Sequence, residues 1–197
     1  MGITSKVKEA VLGGIDNLAN LLAGTAGKVS YDSLLTARVF TPIDTSMDVD
    51  FLKAHPVTRF PELYREDVKQ KRTVRNKCIT TAYVTFLAAQ HQTESSAIGD
   101  FKYHDSGTGT GDEAVGDTGL GTPWGGSRDI GTQVASTNTY TSVATTTYNA
   151  TKAITEHGLF NASTNGTLMD RSKFDAINVV PGNQIIWTYV LTLTAGG

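Results

Sequence analysis

The hydrophobic pattern is clearest near the C-terminal end. Ile185, Trp187, Tyr189, Leu191 and Leu193 alternate with Ile186, Thr188, Val190, Thr192 and Thr194. A period of two predicts a β-strand covered on at least one side. The "VPGNQ" segment just before it is turn chemistry, because Pro181 presets φ and Gly182 tolerates a positive φ. Residues 139–150 repeat the pattern, with Tyr140, Ser142, Ala144, Thr146 and Tyr148 on one face. Residues 78–92, "CITTAYVTFLAAQHQ", begin with β-branched alternation and end helix-like, so strand and helix both fit. The stretch from Gly99 to Gly131 is dense in glycine and leaves room only for short strands between loops. About six to eight strands are expected after residue 78.

The N-terminal part reads differently. Val7, Val11, Leu18, Leu21 and Leu22 recur near helical spacing and predict an amphipathic helix over residues 5–23. Gly24 is a suitable C-cap, and Gly13 and Gly14 weaken the middle. Residues 25–77 show no sustained period and are broken by Pro42, Pro56 and Pro61, yet carry short apolar clusters. That combination fits an extended arm ordered by contact with another subunit. The expected fold is therefore mainly β. A β-sandwich or jelly-roll-like domain over residues 78–197 is preceded by an N-terminal helix and extended arm over residues 1–77.

Charge sharpens this division. The net charge of -2 combines a basic N-terminal part with an acidic remainder. Seven basic residues, Arg59, Arg65, Lys69, Lys71, Arg72, Arg75 and Lys77, lie close together and are interleaved with Glu62, Glu66 and Asp67. They form either a solvated segment or an arm that docks on an acidic partner. Nucleic acid fits less well, since the cluster is short and Tyr64 is its only aromatic residue. A membrane partner is not expected: no run is long enough to span a bilayer, and the polar face of the predicted helix is not strongly basic. Cys78 is the single cysteine, so no intrachain disulfide supports the fold.

No stretch reads as catalytic. "GTGTGDE" (Gly107 to Glu113) lacks the Gly-Lys-Ser/Thr ending of a phosphate loop and reads as a flexible surface loop. Asp105, Asp112, Glu113 and Asp117 could supply oxygen ligands to Ca²⁺, but their spacing is not that of an EF-hand. His104, Asp105 and Ser106 are adjacent, and adjacent residues on a strand point apart instead of converging. His157 reads as a turn or strand-edge histidine, and Trp124 as either a contact anchor or a cover over the core. No cofactor or metal is expected.

Three pieces together suggest a family. "ITEHGLF" (Ile154 to Phe160), "GTLMDR" (Gly166 to Arg171) and "IIWTYVLT" (Ile185 to Thr192) occur in that order. The half of the chain from Phe101 onward resembles a β-rich domain of tailed-bacteriophage virion proteins. The resemblance implies a virion structural protein with no active site, so no catalytic residue is carried over. The resulting expectation is a non-enzymatic capsid cement or decoration protein. It would be assembled in the host cytoplasm, bind the major capsid protein or other virion proteins, and form a homotrimer. Tail, collar or baseplate location is the alternative, and a host-glycan-binding β-domain is a second. The uncharged face of the last strand, Ile186, Thr188, Val190 and Thr192, is the expected subunit interface.

Overall fold

The computed structural model describes residues 30–75, 78–91 and 101–195. The helix expected over residues 5–23 lies outside them. Tyr31 to Thr192 form one compact unit. Eleven strands are described: β1 (Ser30–Pro42), β2 (Tyr64–Glu66), β3 (Arg72–Arg75), β4 (Cys78–Ile79), β5 (Tyr103–Gly107), β6 (Asp129–Ile130), β7 (Thr132–Ser136), β8 (Thr139–Thr147), β9 (Lys152–Phe160), β10 (Leu168–Val179) and β11 (Gln184–Thr194). Among the described residues, two α-helices accompany them, α1 (Val49–Ala54) and α2 (Thr81–Gln90), with short 3-10 turns at Pro61–Leu63 and Val68–Gln70. The strands make two antiparallel sheets. Sheet A runs β2-β1-β11-β8-β7, with β3 also on β1, and sheet B runs β4-β10-β9-β5-β6. The mainly β architecture agrees with the sequence reading.

One core lies between the sheets. β11 supplies Ile185, Trp187, Tyr189 and Leu191, all at most 2% exposed, while Leu193 at the strand's end is 37% exposed. β9 and β10 answer with Ile154, Leu159, Met169, Ile177 and Val179. The turn before β11 forms as its residues dictate, with Gly182 at φ 88°. The ambiguous segment 78–92 is both things in turn: two residues of strand, then α2. Thr80 separates them, its hydroxyl donating to the Leu168 carbonyl and accepting from the Tyr83 N–H.

The boundary expected at residues 77/78 is not a division of the fold. β1 sits inside sheet A beside β11 and buries Leu35, Ala37 and Val39 in the common core. The alternation Ser33, Leu35, Ala37, Val39 is a strand pattern, but its inward positions are small or polar as often as large, which hides the period. Proline does not break an arm here: Pro42 ends β1, and Pro56 and Pro61 shape the loop that leads from α1 to β2. Asp48 caps α1 by accepting from the Asp50 and Phe51 N–H groups. Leu52 then joins Phe40, Val57 and Tyr64 in a second, smaller cluster. Gln184, fully buried in β11, fastens this excursion. Its oxygen accepts from the Val57 N–H at 2.7 Å and its amide donates to the Leu52 carbonyl at 2.9 Å.

A fragment of residues 78–197 lacks β1, which leaves one hydrogen-bonding edge of β11 unpaired and removes Leu35, Ala37 and Val39 from the core. It is expected to lose the near-ultraviolet circular dichroism of its buried aromatic residues and to unfold without a cooperative transition. A cooperative transition at the full-length denaturant midpoint would show β1 to be dispensable.

Candidate functional site

The anticipated basic arm lies along the β1 edge of sheet A. Arg59, Arg65, Lys69, Lys71 and Arg75 are exposed, and Lys77 lies outside the described residues. Arg72 is different. Its guanidinium donates to the carbonyls of Asp175 and Ala176 at 3.0 Å and to those of Lys69 and Lys71. Asp175 and Ala176 fall where the register of β10 on β9 slips between Lys173 and Ile177. Arg72 thus satisfies carbonyls that the bulge takes out of the ladder, so its guanidinium is committed to the fold.

The outer face of sheet A carries the anticipated interface residues. Thr188, Val190 and Thr192 are half-buried and lie opposite Val143, Thr141 and Thr139 of β8. β7 extends the same rows with Thr132, Val134 and Ser136, all exposed. The face is therefore three strands wide, β-branched and uncharged. Ile186 does not belong to the open part of it, because it packs against the Phe40–Leu52–Val57–Tyr64 cluster.

The most highly constrained site is on the opposite sheet, on the face of sheet B turned away from Trp187. Glu156 of β9 is 0% exposed. Its Oε1 accepts from the N–H groups of Gly109 (2.9 Å) and Thr122 (2.8 Å), and its Oε2 from the Gly121 N–H (3.0 Å) and from Arg171 Nε (2.8 Å). Arg171 of β10 goes on to Asp117 Oδ2 at 2.8 Å and to the carbonyls of Gly111 and Asp112. The glycine-rich loop is thus strapped down at both ends, contrary to the expectation of a flexible surface loop. Glycine is required where the approach is closest: a Cβ on Gly109 would stand 2.3 Å from Glu156 Oε1. Burial alone would raise the pKa of Glu156, but the three N–H donors and Arg171 outweigh it and hold the carboxyl below its usual range.

Three of the four candidate Ca²⁺ ligands stand in ion pairs. Asp112 pairs with Lys173 at 2.7 Å, Asp117 with Arg171, and Asp105 with Arg128 at 3.4 Å. No three His, Cys, Asp or Glu side chains converge on a metal position among the described residues.

His157, the neighbour of Glu156, points into the space between the sheets. Its Nε2 lies 3.0 Å from Nδ1 of His104, whose Nε2 lies 2.8 Å from Ser142 Oγ, and its ring rests on Trp187 at 4.7 Å. Of His104, Asp105 and Ser106, only Asp105 points to the other face, where it meets Arg128; His104 and Ser106 share the inner face, and Ser106 bonds the Tyr148 hydroxyl. Burial lowers the pKa of His104 to about 3 and that of His157 well below the ordinary imidazole value. Asp129 has the opposite shift, raised to about 6 by burial despite accepting from Thr146 Oγ1 at 2.5 Å.

Sequence reading missed the joint roles of Glu156, Arg171, His104 and His157. Glu156 and Arg171 stand in the strand pieces that carry the family resemblance, with no function attached. An acid and a base in successive strand-like segments, plus a glycine-dense loop able to approach them, was the available signal. Nothing in the sequence paired the histidines, which are 53 residues apart. Comparison with protein families, with curated proteins and with solved structures gives no match to this chain.

Glu156→Ala removes the acceptor for three loop N–H groups and leaves Arg171 without its buried partner. The expected cost is about 3–5 kcal/mol by urea denaturation, with loss of hydrogen-exchange protection at Gly109, Gly121 and Thr122. A cost under about 1 kcal/mol would mean that the loop is held by something else.

The histidine pair should remain neutral at pH 5, so its ring nitrogen resonances should not titrate between pH 7 and pH 5. The unfolded chain takes up both protons below about 6.5 and the folded chain does not. The pair therefore draws stability down as pH falls from about 6.5 toward 3, by up to ~1.4 kcal/mol per pH unit for each ring. Asp129, with its raised pKa, opposes this between about pH 6 and pH 4. Titration of either ring near pH 6.5 would contradict the buried neutral pair.

Proposed function

We propose that this chain is a non-enzymatic structural protein of a tailed-bacteriophage virion. In this reading it is a capsid cement or decoration protein that assembles in the host cytoplasm, binds the major capsid protein and bridges capsomers as a homotrimer. The observation that carries the reading is the outer face of sheet A. Across β7, β8 and β11 it presents Thr, Val and Ser with no charged side chain. Leu34 and Thr36 lie on the same face of β1 before Arg38, which is paired with Glu66 at 2.5 Å. A solvent-facing sheet surface normally carries charges that discourage association, so an uncharged β-branched surface of this width suits burial against a second copy.

Two further features support the reading. The three pieces that resemble phage virion domains form β9, the start of β10 and β11, and the first two contribute Glu156 and Arg171 to one ion pair. The exposed bases Arg59, Arg65, Lys69, Lys71 and Arg75 suit an acidic partner surface such as a capsomer. A jelly-roll-like path is the finer reading of the fold, since the first and last described strands are neighbours in one sheet. A tail, collar or baseplate component would use the same surfaces. Copy number in purified particles distinguishes the two, through stoichiometry matched to the capsomers or to the tail symmetry.

Val190→Lys places a charge in the middle of the uncharged face. The variant is expected to sediment as a monomer, keep its far-ultraviolet β spectrum and fail to decorate purified particles. An unaltered oligomer with full occupancy would remove this face from the contact.

A further inference from the structure

We propose that the cleft between α1 and the β5–β6 connection is a binding site for a neutral saccharide. The cleft has a volume of about 580 Å³, within the range of small-molecule sites. Its floor is the end of β8, including Thr147, and Asn149 lies just beyond. One wall is α1 with Asp50 and Lys53, and the other holds Trp124 and Asp129.

The chemistry of these walls selects the ligand. The indole of Trp124 is fixed in place, with Tyr148 at 4.9 Å on one side and the backbone of Gly126 so close that a Cβ there would stand 1.9 Å from the ring. It supplies an apolar surface that does not have to be ordered on binding. Asp129 is equally well held. The Trp187 indole N–H donates to Thr146 Oγ1 at 3.1 Å, and that hydroxyl donates to Asp129 Oδ2. A chain of hydrogen bonds from the core thus fixes the carboxyl in the cleft wall. Burial raises its pKa to about 6, so near neutral pH it is ionised and accepts hydrogen bonds.

Lys53 and Asp50 lie on one short helix and offset each other. The cleft therefore offers no concentrated positive field for phosphate and no carboxylate cage for a metal or an amine. What it does offer is a carboxylate acceptor, an ammonium donor, an amide and a hydroxyl with both roles, all beside an aromatic ring. A polyol with C–H faces and hydroxyls that both donate and accept matches that set. The cleft shares Thr132 and Val143 with the uncharged sheet face, but the groups that select the ligand, Trp124, Asp129, Lys53 and Asn149, lie outside that face.

The full-length protein should be screened against an array of neutral oligosaccharides and the strongest hit titrated by calorimetry. Trp124→Ala and Asp129→Asn are each expected to weaken binding by about tenfold or more, the scale of losing an aromatic anchor or a charge-assisted hydrogen bond. Asn149→Ala and Lys53→Ala, at exposed positions, serve if the Trp124 variant fails to fold, and should lower affinity while leaving the melting temperature unchanged. Absence of binding to any array member at millimolar concentration would overturn the proposal. Binding that all the folded variants leave intact would overturn it too, by locating the sugar elsewhere. Loss of particle decoration without loss of sugar binding in Val190→Lys would show the two proposals to be separate.

Discussion

The ion pair of Glu156 and Arg171 is the constraint on which sheet B and its covering loop depend. Two charges taken out of water are costly, and their attraction offsets that cost only when the remaining valences are filled. Here both are. Glu156 takes three backbone N–H groups and the guanidinium, and Arg171 distributes its other donors over Asp117 and two carbonyls. The loop cannot find these partners without folding over the sheet, and the pair cannot be buried without the loop. The two are formed together or not at all, which makes the loop part of the cooperative unit.

Polar side chains also lie inside the core, where His104, His157, Ser142 and Thr146 interrupt what would otherwise be an aromatic and aliphatic interior, and Thr146 reaches out to Asp129 at its edge. Such groups add little net stability, because each bond replaces one to water. Their directionality fixes how sheet A registers on sheet B. Trp187 shows this most clearly, with its ring against His157 and its N–H committed to Thr146. A sliding of one sheet by a residue would leave several buried polar atoms unpaired, at about 1–3 kcal/mol each.

Legibility in the sequence tracked how local the determining physics was. β11 was readable because large and polar residues alternate along it, β8 because its composition is rich in β-branched residues, and the turn at Gly182 because its backbone needs a residue that tolerates positive φ. The pairing of β1 with β11 was not readable. Some 150 residues separate them, and strand pairing at that distance leaves no local trace. The same reason hid the candidate site. Glu156, Gly109 and Arg171 each looked ordinary until the loop and two strands brought them within hydrogen-bond distance. The structural role of Arg72 was hidden within its cluster for a different reason: charge composition does not separate a guanidinium in solvent from one that completes a bulge.

The two sheets treat their outer faces unequally, and this asymmetry bears most directly on function. Sheet B covers part of its own outer face with the loop strapped to Glu156, whereas sheet A is covered, among the described residues, only at the α1 end, over Ile186. A face left open for solvent alone would favour charge, and one left open for permanent core burial would favour Leu and Ile. Thr and Val in alternation across β8 and β11 meet an intermediate requirement. The hydroxyls are hydrated in the free chain, and the methyl groups contribute roughly 25 cal/mol per Å² when another surface removes them from water. Thr also loses little on burial when its hydroxyl finds a cross-strand partner. A surface of this composition suits a chain that is hydrated when free and buried on assembly, and the proposed role in a multi-subunit particle rests on that physical specification.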